Sequence, residues 1–287
     1  MKQLIEKTTY FCIKHTALGD RYREADFNAA KRLLLRSDAL SGEEKALLDK
    51  VNLRLHPNDG MYVASRAQHY LAVGLSAVRC IEKALDESHP GVDVRTILVF
   101  PSGFGRVLRF LKVKFPGAEI TISEIDGVAL DFCRRLFSVK SIMSQRDFSR
   151  LATAERFDLI WCGSLMSHIG EKAAADLLRF FYDHLTPGGV CVFTTHGQLS
   201  AEWMRKKTQT YGLTERARKQ VLSNFHETGY GYADYWNHHG WGVSLVSHER
   251  MRKIALSVAR WNEAFYCEHG WDNHQDVYGY AAPRRTN

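Results

Sequence analysis

A chain of 287 residues, 45% hydrophobic and 25% charged, can bury a full core without disulfides or metals. That excludes disordered, collagenous and disulfide-scaffold classes, and no run approaches the ~18 consecutive apolar residues of a membrane helix. The net charge of +7 would suit an anionic partner, but its basic residues are scattered, so nucleic acid is not expected from charge alone.

The first residues, Met1 to Lys7, lack an apolar signal core, and six scattered cysteines form no Cys-x-x-Cys pair. A cytoplasmic protein with reduced, mostly buried thiols is expected. Residues 1–90 read as a helical N-terminal cap. Ala29 to Leu35 and Gly42 to Leu48 look like amphipathic turns, and Tyr62 to Leu85 carries apolar residues at helical spacing. His56-Pro57-Asn58-Asp59-Gly60 is turn chemistry before that helix, and Glu87 to Gly91 is the best boundary.

From Arg95 the texture changes. Thr96 to Phe100 is a continuous apolar run, as a parallel strand buried on both faces requires. Pro101-Ser102-Gly103-Phe104-Gly105 reads as a turn and Arg106 to Phe115 as a helix. Ala118 to Ser123 is a second strand, Asp126 to Phe137 a second helix, and Phe157 to Cys162 another strand. Ala173 to Leu185 is a helix closed by Thr186-Pro187-Gly188-Gly189, and Val190 to Thr195 is the next strand. Strands alternating with helices imply right-handed crossovers and a mostly parallel, doubly wound α/β sheet. Residues 91–287 are read as this core, interrupted by a 197–260 insertion. Within it, a basic helical piece precedes an aromatic, Gly-rich loop at 229–236, and Ser247 is placed to cap a helix. Two strand-like pieces, Trp261 to Cys267 and Asp276 to Ala282, close the chain.

The first strand-turn-helix carries the chemistry. Glycines in a turn at the end of a parallel strand let a ligand approach the backbone beside a helix N-terminus. Glu124 ends the second strand, 19 residues beyond Gly105, where nucleotide-binding sheets place a carboxylate on ribose hydroxyls. A nicotinamide site would want a third small residue where Leu108 stands.

The stretch from Thr96 to Gly197 resembles the core of a class I S-adenosylmethionine-dependent methyltransferase. The resemblance rests on the segments Ile97 to Val107, Ile122 to Asp126, Phe157 to Ser164, and Leu185-Thr186-Pro187-Gly188-Gly189. It implies a Rossmann-like sheet with an antiparallel final strand and S-adenosylmethionine as cofactor. Val99 and Pro101 depart from the acid and glycine usual in that family. The resemblance further implies that Phe100, Pro101, Ser102, Gly103 and Gly105 form the cofactor turn, and that Glu124 takes the ribose. Ile125 would pack on the adenine, Asp147 and Phe148 would meet its amino edge and face, and Gly163 and Ser164 would line the methionine end.

Methyl transfer is an in-line displacement, so an enzyme mainly positions sulfonium and nucleophile. A hydroxyl acceptor also needs its proton removed, and His168 and His196, each following a strand end, are the candidate bases. Tyr230, Tyr232, Tyr235, Trp241 and His274 are candidate substrate contacts, since rings with polar groups suit sugars and aromatic molecules. Nine of the 13 histidines lie from His168 onward, but no recognisable metal-ligand spacing occurs, so no metal is expected. The expected acceptor is a small molecule or glycan, methylated on oxygen. A cofactor-binding module acting through partners, and a nucleic-acid methyltransferase, are the competing readings. The latter would want a motif such as Asn-Pro-Pro-Tyr after the fourth strand, where Cys162-Gly163-Ser164-Leu165 stands.

Overall fold

Nine strands form in the computed structural model, which describes residues 14–284. Met1 to Lys7 and Cys12, read above for export and thiol chemistry, lie outside them. The strands are β1 (Thr96–Val99), β2 (Glu119–Glu124), β3 (Lys140–Met143), β4 (Phe157–Cys162), β5 (Leu185–Thr195), β6 (Tyr230–Asp234), β7 (Gly242–Val246), β8 (Asn262–Trp271) and β9 (Gln275–Ala281). Seven make one sheet in the order β3-β2-β1-β4-β5-β9-β8, while β6 and β7 pair as a separate hairpin. β1, β2, β3, β4 and β5 run parallel, and β9 runs against both its neighbours. The sheet is the mostly parallel α/β sheet that the alternation of elements led us to expect, with the antiparallel final strand and Rossmann-like order that the resemblance implied, and N-terminal helices beside it.

Side chains alternate across a strand, and here both sets are apolar. Ile97, Val99, Leu159, Trp161, Val190 and Val192 share one core with α1 (Ala17–Leu35), α2 (Gly42–Lys50), α3 (Ala67–Ser88), α4 (Leu108–Lys114) and α5 (Gly127–Phe137). Leu98, Phe100, Ile160, Cys162, Cys191 and Phe193 face the other way, into α6 (Glu171–Asp183) and α9 (His248–Val258). The helices α7 (Gln198–Lys206) and α8 (Glu215–Thr228) cover the β6–β7 hairpin around a third, smaller core. Among the described residues no helix is long and apolar enough to cross a membrane.

Local chemistry fixes the element ends. Asp126 caps α5 by accepting from the Val128 and Ala129 N–H groups, and Ser247 caps α9 by accepting from Arg250, as its position suggested. The turn between β8 and β9 is tied to α3. Trp271 Nε1 donates to the Val73 carbonyl at 3.1 Å, and the Asp272 N–H donates to Ser76 Oγ at 2.9 Å.

Three local expectations need correction. The helix expected from Arg106 starts at Leu108, because Arg106 still belongs to the preceding turn. Leu185, expected to end a helix, and Thr186 to Gly189, expected as its closing turn, are the start of β5, where Leu185 pairs with Phe157 before a register shift. The supposed loop at 229–236 is largely strand β6. Its glycines read as turn punctuation, but Gly231 is there because α8 lies against it. A Cβ at Gly231 would sit 1.9 Å from the Val221 carbonyl oxygen.

Candidate functional site

The carboxyl ends of β1, β2 and β4 meet at an open crevice, as parallel sheets of this kind provide. At its centre Glu124 is aimed by three backbone donors. Oε2 accepts from the Gly103 N–H at 2.8 Å, and Oε1 from those of Ile125 at 2.8 Å and Asp126 at 3.1 Å. Gly103 has φ +50°, and a Cβ there would meet no atom within 4 Å, so the turn faces open space. Beside it lies a cavity of ≈ 420 Å³ walled by Phe100, Pro101, Glu124, Ile125 and Phe148. Ile125 is 53% exposed, an apolar side chain turned to the cavity mouth.

The other turn residues do different work. Ser102 donates its N–H to the Ser123 carbonyl, locking the turn to β2. Gly105 is a packing glycine, since a Cβ would lie 2.7 Å from the Phe137 ring. Asp147 is exposed and outside the cavity, its carboxylate accepting from the Ser149 N–H and hydroxyl. After β4, Ser164 has φ +63° and is held by a closed network. Its N–H donates to Thr194 Oγ1 at 2.8 Å and its Oγ accepts from Gln275 Nε2 at 3.0 Å, while Thr194 Oγ1 donates to Gln275 Oε1 at 2.6 Å.

The two candidate bases lie together, with ring centroids 6.3 Å apart. His168 ends a short 3₁₀ turn, Met166–His168, with Nδ1 2.8 Å from the Gly242 carbonyl. Its ring stacks on Trp241 at 4.7 Å, and the Tyr235 hydroxyl lies 3.4 Å from Nδ1. His196, at the end of β5, is fully enclosed, and its Nδ1 has no partner. His274 stacks on Trp203 and stands 5.1 Å from His196, with Nε2 2.8 Å from the Tyr211 hydroxyl. Burial lowers the pKa of all three histidines, that of His196 far below the ordinary value, with His274 and His168 adding to the effect. Burial likewise pushes the Tyr211 phenol up to about 12. This is a wall of neutral imidazoles and phenols.

Trp241 joins this wall to the cavity, which it also lines. Tyr230 and Tyr232 do not face it. Tyr230 donates its hydroxyl to the Ile169 carbonyl at 2.9 Å, and Tyr232 donates to Asp234. Sequence reasoning missed Ser144, Gln145 and Arg146, which line the cavity after β3, and Leu165, Ile169, His238 and Gly240. Their signal was positional only: the loop after a parallel strand on the crevice side. Among the described residues no three His, Cys, Asp or Glu side chains converge as a metal site.

Comparisons with known proteins bear on the domain and its fold. A family model described as a methyltransferase domain matches residues 98–191, the span from β1 into β5. A curated Drosophila melanogaster protein, described as an eEF1A lysine and N-terminal methyltransferase homolog, is 28% identical over 122 residues. That match covers 41% of this chain and 17% of the relative's length. The crystal structure of the PH0226 protein from Pyrococcus horikoshii OT3 matches at TM-score 0.50 and 14% identity, over 72% of this chain and 90% of that one. A Clostridium acetobutylicum S-adenosylmethionine-dependent methyltransferase gives TM-score 0.49 and 15% identity over the same shares. Residues 98–191 thus match a methyltransferase domain, and the sheet around them has the fold of the solved structures it resembles.

Proposed function

We propose that the protein methylates a hydroxyl of a small molecule or glycan, with S-adenosylmethionine against the 101–105 turn and Glu124, and His168 as general base. The cofactor suits the residues present. Glu124 offers two carboxylate oxygens for a ribose diol, already oriented by the N–H groups of Gly103, Ile125 and Asp126. Ile125 and Phe148 supply apolar surface for adenine beside Phe100 and Pro101, and the space at Gly103 admits a ligand against the backbone. Gly163 and Ser164 bound the methionine end from the β4 side. Asp147 lies outside the cavity with Oδ1 held by Ser149, so Ser144 to Arg146, which line it, are better placed for the adenine edge. When bound, the cofactor supplies a methyl group on a positively charged sulfur.

The observation that carries the base assignment is the 2.8 Å contact from His168 Nδ1 to the Gly242 carbonyl. A carbonyl oxygen only accepts, so Nδ1 carries the proton of the neutral ring and Nε2 keeps a lone pair. Burial keeps that ring neutral near pH 7, the form a general base must have. His196 backs the site, and His274 with Tyr235 and Trp241 would contact the acceptor. In this reading 197–260 is the acceptor-binding insertion of a 91–287 core, and residues 1–90 are a cap. The test is transfer of labelled methyl to a panel of hydroxylated small molecules and glycans. His168→Gln should lose about 10²–10⁴ in turnover while keeping cofactor affinity. Near-native turnover in that variant would remove His168 as base.

One observation favours a second reading, a protein amine as acceptor: the relative described as a lysine and N-terminal methyltransferase homolog. The same neutral imidazole could take a proton from an ammonium group. Label recovered in lysine or N-terminal amines after total hydrolysis of a protein substrate would replace the hydroxyl reading.

A further inference from the structure

Two arginines leave the cofactor turn, and they are used very differently. Arg109 is buried and its donors are spent on carbonyls: Gly105 at 3.0 Å, Asn52 at 2.6 Å, Arg54 at 3.2 Å and Phe104 at 3.5 Å. Arg106 has no hydrogen bond and no carboxylate at ion-pair distance among the described residues. Its guanidinium lies over the rings of Tyr70 and Trp271, 5.9 and 5.6 Å from their centroids, and its nitrogens still reach open space. The acids nearby are engaged elsewhere. Asp59 accepts from the Tyr70 hydroxyl at 2.7 Å and the Met61 N–H at 2.9 Å, and Asp272 pairs with His69 at 2.9 Å. Enclosure by the rings lowers the guanidinium pKa without discharging it, since arginine stays protonated.

The position of this cation gives it a function. Trp271 packs edge-on to Trp161, 5.5 Å between centroids, and Trp161 lies directly under Gly163, where a Cβ would be 2.9 Å from its ring. The Tyr70–Trp271 box therefore sits over the ends of β1 and β4, between the 101–105 turn and Gly163. With its ribose at Glu124 and its sulfur toward Gly163, a bound S-adenosylmethionine would bring its amino-acid tail toward this box. We infer that Arg106 binds the carboxylate of the methionine end of S-adenosylmethionine, an assignment that rests on the cofactor reading above. A planar guanidinium held by aromatic rings is pre-oriented for a carboxylate, and forming the pair strands no protein acid.

Calorimetry with S-adenosylmethionine and with decarboxylated S-adenosylmethionine separates this role from packing. The wild type should prefer the carboxylate-bearing ligand by about 10-fold or more, and Arg106→Gln should lose about 10–100-fold for that ligand alone. Arg106→Lys, which keeps the charge without the fork, should retain part of the preference. Equal losses for both ligands would make Arg106 a packing residue and overturn the inference, as would no loss for either. If Arg106→Gln fails to give a cooperative melt, the wild-type comparison decides alone. Equal wild-type affinity for the two ligands overturns the inference and leaves the cofactor reading standing; binding of neither removes both.

Discussion

Trp241 stacks on His168 with the ring planes 21° apart, and the residue after it, Gly242, holds His168 Nδ1 through its carbonyl. One hairpin residue pair thus sets both the tilt and the tautomer of the imidazole, while Trp241 also walls the cavity. Trp241→Ala should therefore change two quantities at once. The KM for cofactor should rise about three- to tenfold, the worth of one aromatic contact of about 0.5–1.5 kcal/mol. Turnover should fall as well, because the ring of His168 loses its backing. Trp241→Phe should recover most of both. Steady-state kinetics in which only KM moves would show that Trp241 does not position His168.

Glu124 is the second test. Its carboxylate accepts three backbone N–H groups and has lone pairs left for a ribose diol. Glu124→Gln keeps the side chain's volume and one acceptor oxygen but removes the charge. Loss of charged contacts to the diol should cost about 1.5–3 kcal/mol in S-adenosylhomocysteine binding by calorimetry. Thermal melts separate that loss from loosening of the turn. Unchanged affinity in a folded variant would move the ribose elsewhere.

These two residues differ in how visible they were in the sequence. Glu124 was legible because strand, turn, helix and second strand are local patterns, and the acid's place follows from their lengths. The seven-stranded sheet was legible for the same reason. The wall of histidines and aromatic rings was only half legible. His168 and His196 could be named because strand ends in a parallel sheet share one side. Tyr235, Trp241 and His274 could be named as rings with polar groups, but Tyr211 and Trp203 could not. These two come from the 197–260 segment, whose alternation is masked by glycines at 231 and 242 that serve backbone contact, not turns. Tyr230 and Tyr232 illustrate the converse. Their rings looked like acceptor contacts, but their hydroxyls are engaged by Ile169 and Asp234, which only the tertiary fold brings near.

The pH dependence follows from the lowered histidines. His168 loses its charge more easily than a free imidazole, mainly because burial disfavours the cation. The acidic limb of kcat/KM should therefore fall below the free histidine value of ~6.5, with the rate level through neutral pH. A limb centred above that value would assign the base elsewhere.

Stability should respond over the same range with a definite sign. His56, His89, His168, His196 and His274 all have lowered pKa values, burial being the first cause in each. Above ~6.5 both folded and unfolded chains hold these rings neutral, so no pH dependence arises from them. Below it the unfolded chain takes up protons that the folded chain refuses, and stability falls with pH until the folded values are passed. The melting temperature should drop between pH 7 and pH 5. His196→Phe should flatten that slope more than a change at exposed His226, because His196 is the most strongly shifted. A slope unaltered by His196→Phe would mean that His196 takes up its proton as readily in the folded protein as in the unfolded chain.

Gly231 tests whether the β6–β7 hairpin is the rigid support that the His168 assignment needs. A Cβ at Gly231 would fall 1.9 Å from the Val221 carbonyl oxygen and 3.0 Å from the Phe225 nitrogen, both backbone atoms of α8. Backbone cannot rotate away as a side chain can, so α8 and β6 must separate. Overpacking of that kind costs about 1–3 kcal/mol, and occasionally more. The hairpin carries Trp241 and Gly242, so the shift should reach His168 without touching Glu124. Gly231→Ala should thus melt at lower temperature, lose turnover, and bind S-adenosylhomocysteine nearly as well as wild type. Gly60→Ala, where a Cβ meets nothing within 4 Å, is the matched control and should leave turnover and binding unchanged. Full turnover in a destabilised Gly231→Ala protein would show that the imidazole is held independently of the hairpin.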